Sequence, residues 1–215
     1  KKVNPAMHIE HKVGDKMYVD YAGVTLPYVD TDTGEIKQAQ VFVAILGWTQ
    51  YAYVEAMRNQ TIEEFVTACE NALHYFKGVP LAIVPDNLKS GVTKAHRYDP
   101  DINANYQHVG EHYRFAIVPA RAGEPKDKAK VENAVGCIER QILAPMRHMT
   151  FTSIAEINAA IKPRLAEFNK KSFQKMKTSR QELFEAVDKP ALQPLPAEKY
   201  QYAEWQRAKI HIDYH

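Results

Sequence analysis

Several things are scarce in this chain, and each scarcity removes a class of protein. There are 2 cysteines in 215 residues, Cys69 and Cys137, far apart and in no metal-ligand spacing. That excludes a disulfide framework and suits a reducing compartment, so a cytoplasmic setting is expected. No apolar run approaches the ~18 residues of a membrane span, and no secretory leader opens the chain. The formal net charge of +2 is too small to announce a nucleic-acid partner, so any such argument must rest on where the charges lie. No internal repeat, low-complexity tract or helix-turn-helix with a basic recognition helix is visible.

The bulk composition is ordinary for a globular protein, with 45% hydrophobic and 25% charged residues. A chain of this length can bury a sizeable core and hold a charged site within it. Both ends read as cut: the first residue is Lys1, and Ile210–His215 alternates like a strand with no turn after it. We therefore expect residues 1–16 to be a leader from a missing N-terminal region and residues 17–188 the core. A Pro-rich linker is expected over 189–199, and the start of a truncated C-terminal β domain over 200–215.

Within the core, Met17–Ala22 alternates as a strand, with Met17, Val19 and Tyr21 on one face and Tyr18, Asp20 and Ala22 on the other. Asp30–Gly34 is turn chemistry. Val41–Leu46 is a continuous apolar run, as in a strand buried on both faces, and Tyr51–Met57 supplies the next strand. Ile62, Phe65, Val66, Cys69, Leu73 and Phe76 then fall at helical spacing behind a Thr61/Glu64 capping box, with Gly78 and Pro80 ending the helix. Leu81–Val84 and Phe115–Val118 read as two further strands, and residues 88–112 as polar and irregular. Pro125 opens a helix with a Val131, Val135, Ile138, Ile142 stripe. Ser153/Glu156 and Ser179/Glu182 cap two more, the first interrupted by Pro163. The order predicts an α/β fold, a mixed five-stranded sheet flanked by helices.

Three acids stand out in that frame. Asp20 interrupts an apolar strand, where aspartate is poorly suited, and a buried carboxylate needs a partner or a metal. Asp86 follows the C-terminal end of a buried strand, the edge where ligand sites of open α/β sheets gather. Glu132 lies in the helix after the Gly/Pro loop. Taken singly, each has a plain structural explanation: a capped strand residue, a turn cap, a solvated helix residue. Three acids brought together would repel one another unless cations were bound, and hard oxygen ligands select magnesium or manganese.

The segments Val19-Asp20-Tyr21-Ala22-Gly23, Val84-Pro85-Asp86-Asn87-Leu88-Lys89 and Lys130-Val131-Glu132-Asn133 resemble the three motifs of the DDE transposase and retroviral integrase superfamily. Within it they look most like the IstA-type insertion-sequence transposases. The resemblance covers about residues 15–190 and departs in one respect, a longer gap between the second and third acids, with residues 88–112 the expected insertion. Glu124, before Pro125, is the nearest competitor for the third acid and sits at a helix start. The resemblance implies a ribonuclease H-like fold and two-metal phosphoryl transfer by Asp20, Asp86 and Glu132, each a catalytic and metal-binding residue for two Mg2+ or Mn2+ ions. It also implies transposon-end and target DNA as substrates, an AAA+ ATPase helper of IstB type, and a homo-oligomeric active complex. A ribonuclease H-like nuclease that only hydrolyses, and a non-catalytic DNA-binding or assembly module, are the competing functions.

Basic residues supply candidate DNA contacts. Arg121, Lys126, Lys128 and Lys130 surround the helix of Glu132, with Lys128 one turn before it. A second run holds Lys162, Arg164, Lys170, Lys171, Lys175, Lys177 and Arg180 with Glu167 the only acid. It reads equally as a phosphate-tracking surface centred on Lys170, Lys171 and Lys175 and as a solvated helix end. His108 and His112, four apart, lack the third ligand that a zinc site needs.

Overall fold

The computed structural model describes residues 11–85, 92–94, 101–102, 104–118, 129–174 and 176–203. The alternation of Met17–Ala22 becomes β1 (Lys16–Tyr21) at the centre of a mixed sheet. Antiparallel β3 (Ile36–Leu46) flanks it on one side and parallel β5 (Ala82–Pro85) on the other. β4 (Ala52–Met57) pairs antiparallel with β3, and the two-residue β8 (Ala116–Ile117) continues the sheet in parallel beyond β5.

Six strands make this sheet rather than the expected five. The additional one is β2 (Leu26–Val29), which pairs with the first part of β3. That part of β3 begins at Ile36, and its first three residues are exposed, so no apolar run marks it. Between β2 and β3, Asp30 accepts the amides of Asp32 (3.0 Å) and Thr33 (3.3 Å), and Gly34 takes the left-handed φ of 72° that the turn requires. β1 and β2 follow a single path along β3. From Tyr21↔Phe42 to Leu26↔Ala39 this path advances five residues while β3 retreats three, so two extra residues bulge out near Gly23.

The segment read as polar and irregular also contains structure. Val92–Lys94 (β6) and Asp101–Ile102 (β7) pair as a small antiparallel ribbon, and α2 (Ala104–Tyr113) follows. Tyr106, Val109 and Tyr113 bury one face of α2. Tyrosines and a glycine carry that stripe, which is why its helical period was faint.

Helices cover both faces of the sheet. α1 (Ile62–Phe76) starts at Thr61, whose hydroxyl accepts the Glu64 amide (3.4 Å). It packs Phe65, Cys69 and Leu73 against Met17, Val19, Phe42 and Leu46. The opposite face, with Val41, Val43 and Ile45, is covered by α3 (Ala129–Ile138), a π-helical turn (Glu139–Leu143) and α4 (Ile154–Lys170). Each such buried side chain contributes about 1.5–3 kcal/mol. α4 remains one helix through Pro163.

The outer edge of β4 would otherwise present unpaired backbone groups. α4 closes it with two asparagines about three turns apart. Asn169 takes the Ala52 amide (3.1 Å) and donates to the Ala52 carbonyl (2.8 Å), and Asn158 does the same for Ala56 (2.7 and 3.0 Å).

The chain closes on itself after α5 (Arg180–Leu183), which Ser179 and Glu182 cap reciprocally. A π-helical turn ends at Asp188, whose carboxylate accepts the Gly14 amide (2.8 Å), the Thr49 amide (3.3 Å) and the Thr49 hydroxyl (2.6 Å). Residues from Leu192 run back over the first core, and Gln193 exchanges backbone bonds with Val79 at 2.8 Å each. A Cβ on Gly78 would stand 2.6 Å from the Leu192 Cβ, so glycine is required at this crossing.

Candidate active site

Asp20 lies one residue from the C-terminal end of β1. Its cross-strand partner is Val43, which belongs to the core on the α3 and α4 side, so Asp20 faces that layer. It is half-buried, and its Oδ1 accepts the amide of Tyr21 (2.8 Å). Tyr21 points to the other face. Burial, with Cys69 and Glu64 nearby, pushes its phenol well above the ordinary range, and its hydroxyl has no hydrogen-bond partner among the described residues.

The parallel register of β1 and β5 runs from Lys16↔Ala82 to Val19↔Pro85. The next residue on each strand path is an acid, Asp20 on one and Asp86 on the other. Asp86 itself lies outside the described residues, as do Arg121, Glu124, Lys126, Lys128 and Lys175.

Glu132 is exposed in the first turn of α3. Two and six residues later, Ala134 and Ile138 are buried in the core that Val43 shares, which sets α3 on Asp20's side of the sheet. A further link joins strand and helix: the Gly23 amide, at the bulge after β1, donates to Glu139 Oε1 (2.8 Å). Lys130 shares the first turn of α3 with Glu132.

The second basic run divides on inspection. Lys162, Lys170 and Lys177 are exposed, and Lys171, also exposed, donates to Gln141 Oε1 (3.1 Å). Arg164 turns back to the Ala160 carbonyl (2.8 Å). Arg180 leaves the run altogether. It is 8% exposed, with its guanidinium carbon 4.2 Å from the Phe168 ring centre and 4.6 Å from that of Phe173. His112 meets the Glu198 carbonyl (3.0 Å), and no group of three or more potential metal ligands occurs among the described residues.

Sequence reasoning passed over two cations. Arg140 and Arg147, both exposed, border a cleft of about 230 Å3 together with Val24–Pro27, Leu143 and Ala144. Their spacing of seven beyond Glu132's helix was the available signal. Among the described residues no helix is long and apolar enough to cross a membrane.

No family model matches the sequence. Over all 215 residues the chain is 43% identical to a putative transposase of Sinorhizobium fredii, covering 42% of that protein. It is 39% identical over 215 residues to the putative transposase of insertion sequence IS408 of Burkholderia multivorans, again covering 42% of it. The magnesium-bound catalytic core domain of HTLV-2 integrase superposes with a TM-score of 0.56 at 15% identity, over 80% of this chain and 97% of that domain. Along its whole length the chain is similar to these putative transposases. At 15% identity the solved structure speaks for the fold, which is ribonuclease H-like. The chain spans less than half the length of the curated relatives it matches.

Proposed function

We propose that this chain is the catalytic core of a DNA transposase, which cleaves the ends of its element and joins them to target DNA, with Asp20, Asp86 and Glu132 as its catalytic acids. The observation that carries this reading is the parallel β1–β5 register ending at Val19↔Pro85, with an acid next in sequence on each path. It is supported by Glu132 standing on the helix that covers Asp20's face of the sheet.

The donor set fits a hard divalent cation. Carboxylate oxygens suit Mg2+ or Mn2+, and no thiol or imidazole competes among the three acids. Two such ions, when bound, polarise the attacking and leaving oxygens of a phosphodiester. The chain's own part is to hold the ligands in place. Asp20 sits on the central strand, paired on both sides, and Glu132 on a helix anchored by Ala134 and Ile138. Water serves as nucleophile for end cleavage and the freed 3′-hydroxyl for strand transfer, so no side chain needs to bond to DNA.

Lys128, with Arg121, Lys126 and Lys130, is assigned to phosphates near the scissile bond, and Lys170, Lys171 and Lys175 to flanking DNA. An ATPase helper of IstB type and a homo-oligomeric active complex belong to the same reading. In the full-length protein, Asp20→Asn, Asp86→Asn and Glu132→Gln should each lower cleavage and joining of element ends by more than about 100-fold, beyond the usual cost of disturbing the partners of a ligand. DNA affinity should stay near wild type. Substantial joining by any one variant removes that residue from the site.

A further inference from the structure

We propose that Glu139 is a positioning residue, which sets the spacing between the strand of Asp20 and the helix of Glu132. This rests on the active-site reading above. The bulge between β1 and β2 explains why such a device is needed. Ala22 still donates to the Val41 carbonyl (2.8 Å), and pairing with β3 resumes at Leu26↔Ala39. Between them the chain leaves the ladder, and the Gly23 amide takes the Glu139 carboxylate at 2.8 Å as its partner. Gly23 lies only three residues beyond Asp20, so whatever fixes Gly23 fixes the end of the strand from which Asp20 projects.

The other end of the bond is equally close to the site. Glu139 is seven residues after Glu132, two turns of helix or about 10 Å, and so lies on the same face of α3. The helix also changes character there, because the π-helical turn begins at Glu139. Such a turn widens the helix locally and is common beside functional sites. At this turn the Glu139 carboxylate meets the bulge, while Ile138 and Ile142 stay buried. Strand bulge and helix bulge thus meet across one charge-assisted hydrogen bond, which is stronger and shorter than a neutral one. A Cβ on Gly23 would stand 3.5 Å from Glu139 Oε1, an ordinary contact, so the bulge tolerates a side chain but depends on its amide.

The test is a manganese titration of the full-length protein, read by its melting temperature and separately by strand joining. Glu139→Ala should raise the Mn2+ concentration for half of the melting shift by about tenfold or more, with a comparable loss of joining. Glu139→Gln keeps an acceptor oxygen for Gly23 and should recover most of both. A residue that merely supports the fold would lower the melting temperature without moving the metal midpoint. A midpoint that responds to Asp20→Asn but not to Glu139→Ala overturns the proposal, as does Glu139→Gln failing as badly as Glu139→Ala. A midpoint untouched by Asp20→Asn overturns the active-site reading itself, and the role of Glu139 with it.

Discussion

Asp188 and Asp20 are both aspartates at least partly withdrawn from solvent, and the fold treats them differently. Asp188 is 1% exposed, and its two oxygens gather donors from Gly14 and Thr49, residues 174 and 139 positions away. It ties the segment before β1 and the β3–β4 turn to the segment after α5. Asp20 is half-buried, and its Oδ1 accepts the amide of Tyr21, the next residue of the same strand. It faces a layer that carries a second acid, Glu132. A buried carboxylate whose oxygens collect distant backbone donors is a structural clamp. A half-buried one near a strand end, on the face that α3 covers, fits the metal-binding role proposed for Asp20.

Exchanging the two substitutions tests this contrast most sharply. Asp188→Ala would leave two amides and a hydroxyl without their acceptor, and each unsatisfied donor costs about 1–3 kcal/mol. We expect a loss on the order of 4 kcal/mol and a melting temperature lower by roughly 10 °C for a domain of this size. Asp20→Asn should leave the metal-free melting temperature unchanged or slightly higher, because it removes a charge from an acidic site. Calorimetry of both variants in chelator decides the matter. A large destabilisation by Asp20→Asn would make it a second clamp rather than a catalytic acid.

The β4 edge should respond next most strongly. Asn169→Ala strips partners from both the amide and the carbonyl of Ala52 in a fully buried setting, and should cost about 2–3 kcal/mol. Asn158→Ala does the same for Ala56 at a half-buried position, and should cost about 1 kcal/mol. The two side chains are about 16 Å apart along α4, so the double variant should show nearly the sum in urea denaturation. A double variant no worse than Asn169→Ala alone would mean that water satisfies Ala56 and that this edge is closed at one point.

How much of this was legible depends on whether a feature has a period. The alternation of β1 and the stripe of α1 came through because the core enforces them on one face. Asp20 was visible as an exception to the period of β1. Glu132 breaks no period and stood out only through its pattern with the other acids and the resemblance of its segment. Asn158 and Asn169 adjoin the Ile157, Ile161, Leu165, Phe168 stripe of α4, yet their role appears only once β4 lies beside them. Extended chain was expected on both sides of the Asp30–Gly34 turn. β2 was not counted as a strand because its partner residues Ile36, Lys37 and Gln38 are solvent-exposed and carry no apolar run. The π-helical turn at Glu139 left no mark, since one extra residue per turn does not disturb so short a stripe. Arg180 looked like its basic neighbours, and only packing separates an arginine clasped by Phe168 and Phe173 from a lysine in water.

The smallest expected effect concerns a third acid, Glu55 of β4, which stands between the two extremes. Like Asp188 it has partners: Tyr53 donates its hydroxyl to Oε2 (2.8 Å), and the Asn71 amide reaches both oxygens (3.1 Å each). Unlike Asp188 it draws them only from β4 itself and the adjacent α1. Burial raises its pKa above the ordinary carboxylate value, with a smaller push from Glu64, while the bonds from Tyr53 and Asn71 pull the other way without prevailing. A raised folded-state pKa means that the folded form binds the proton more tightly than the unfolded chain does. Its contribution is therefore fully present below the unfolded pKa and is lost as pH rises through the folded one, from about 4.5 upward. Glu55→Gln keeps the shape and removes the titration. In a series of melts from pH 4 to neutrality at constant ionic strength, the variant should gain on wild type as pH rises, by roughly a few degrees at most. A gap that closes with rising pH would mean that Tyr53 and Asn71 hold the carboxylate ionised after all. Glu55 would then belong with Asp188, as a clamp whose partners outweigh its burial.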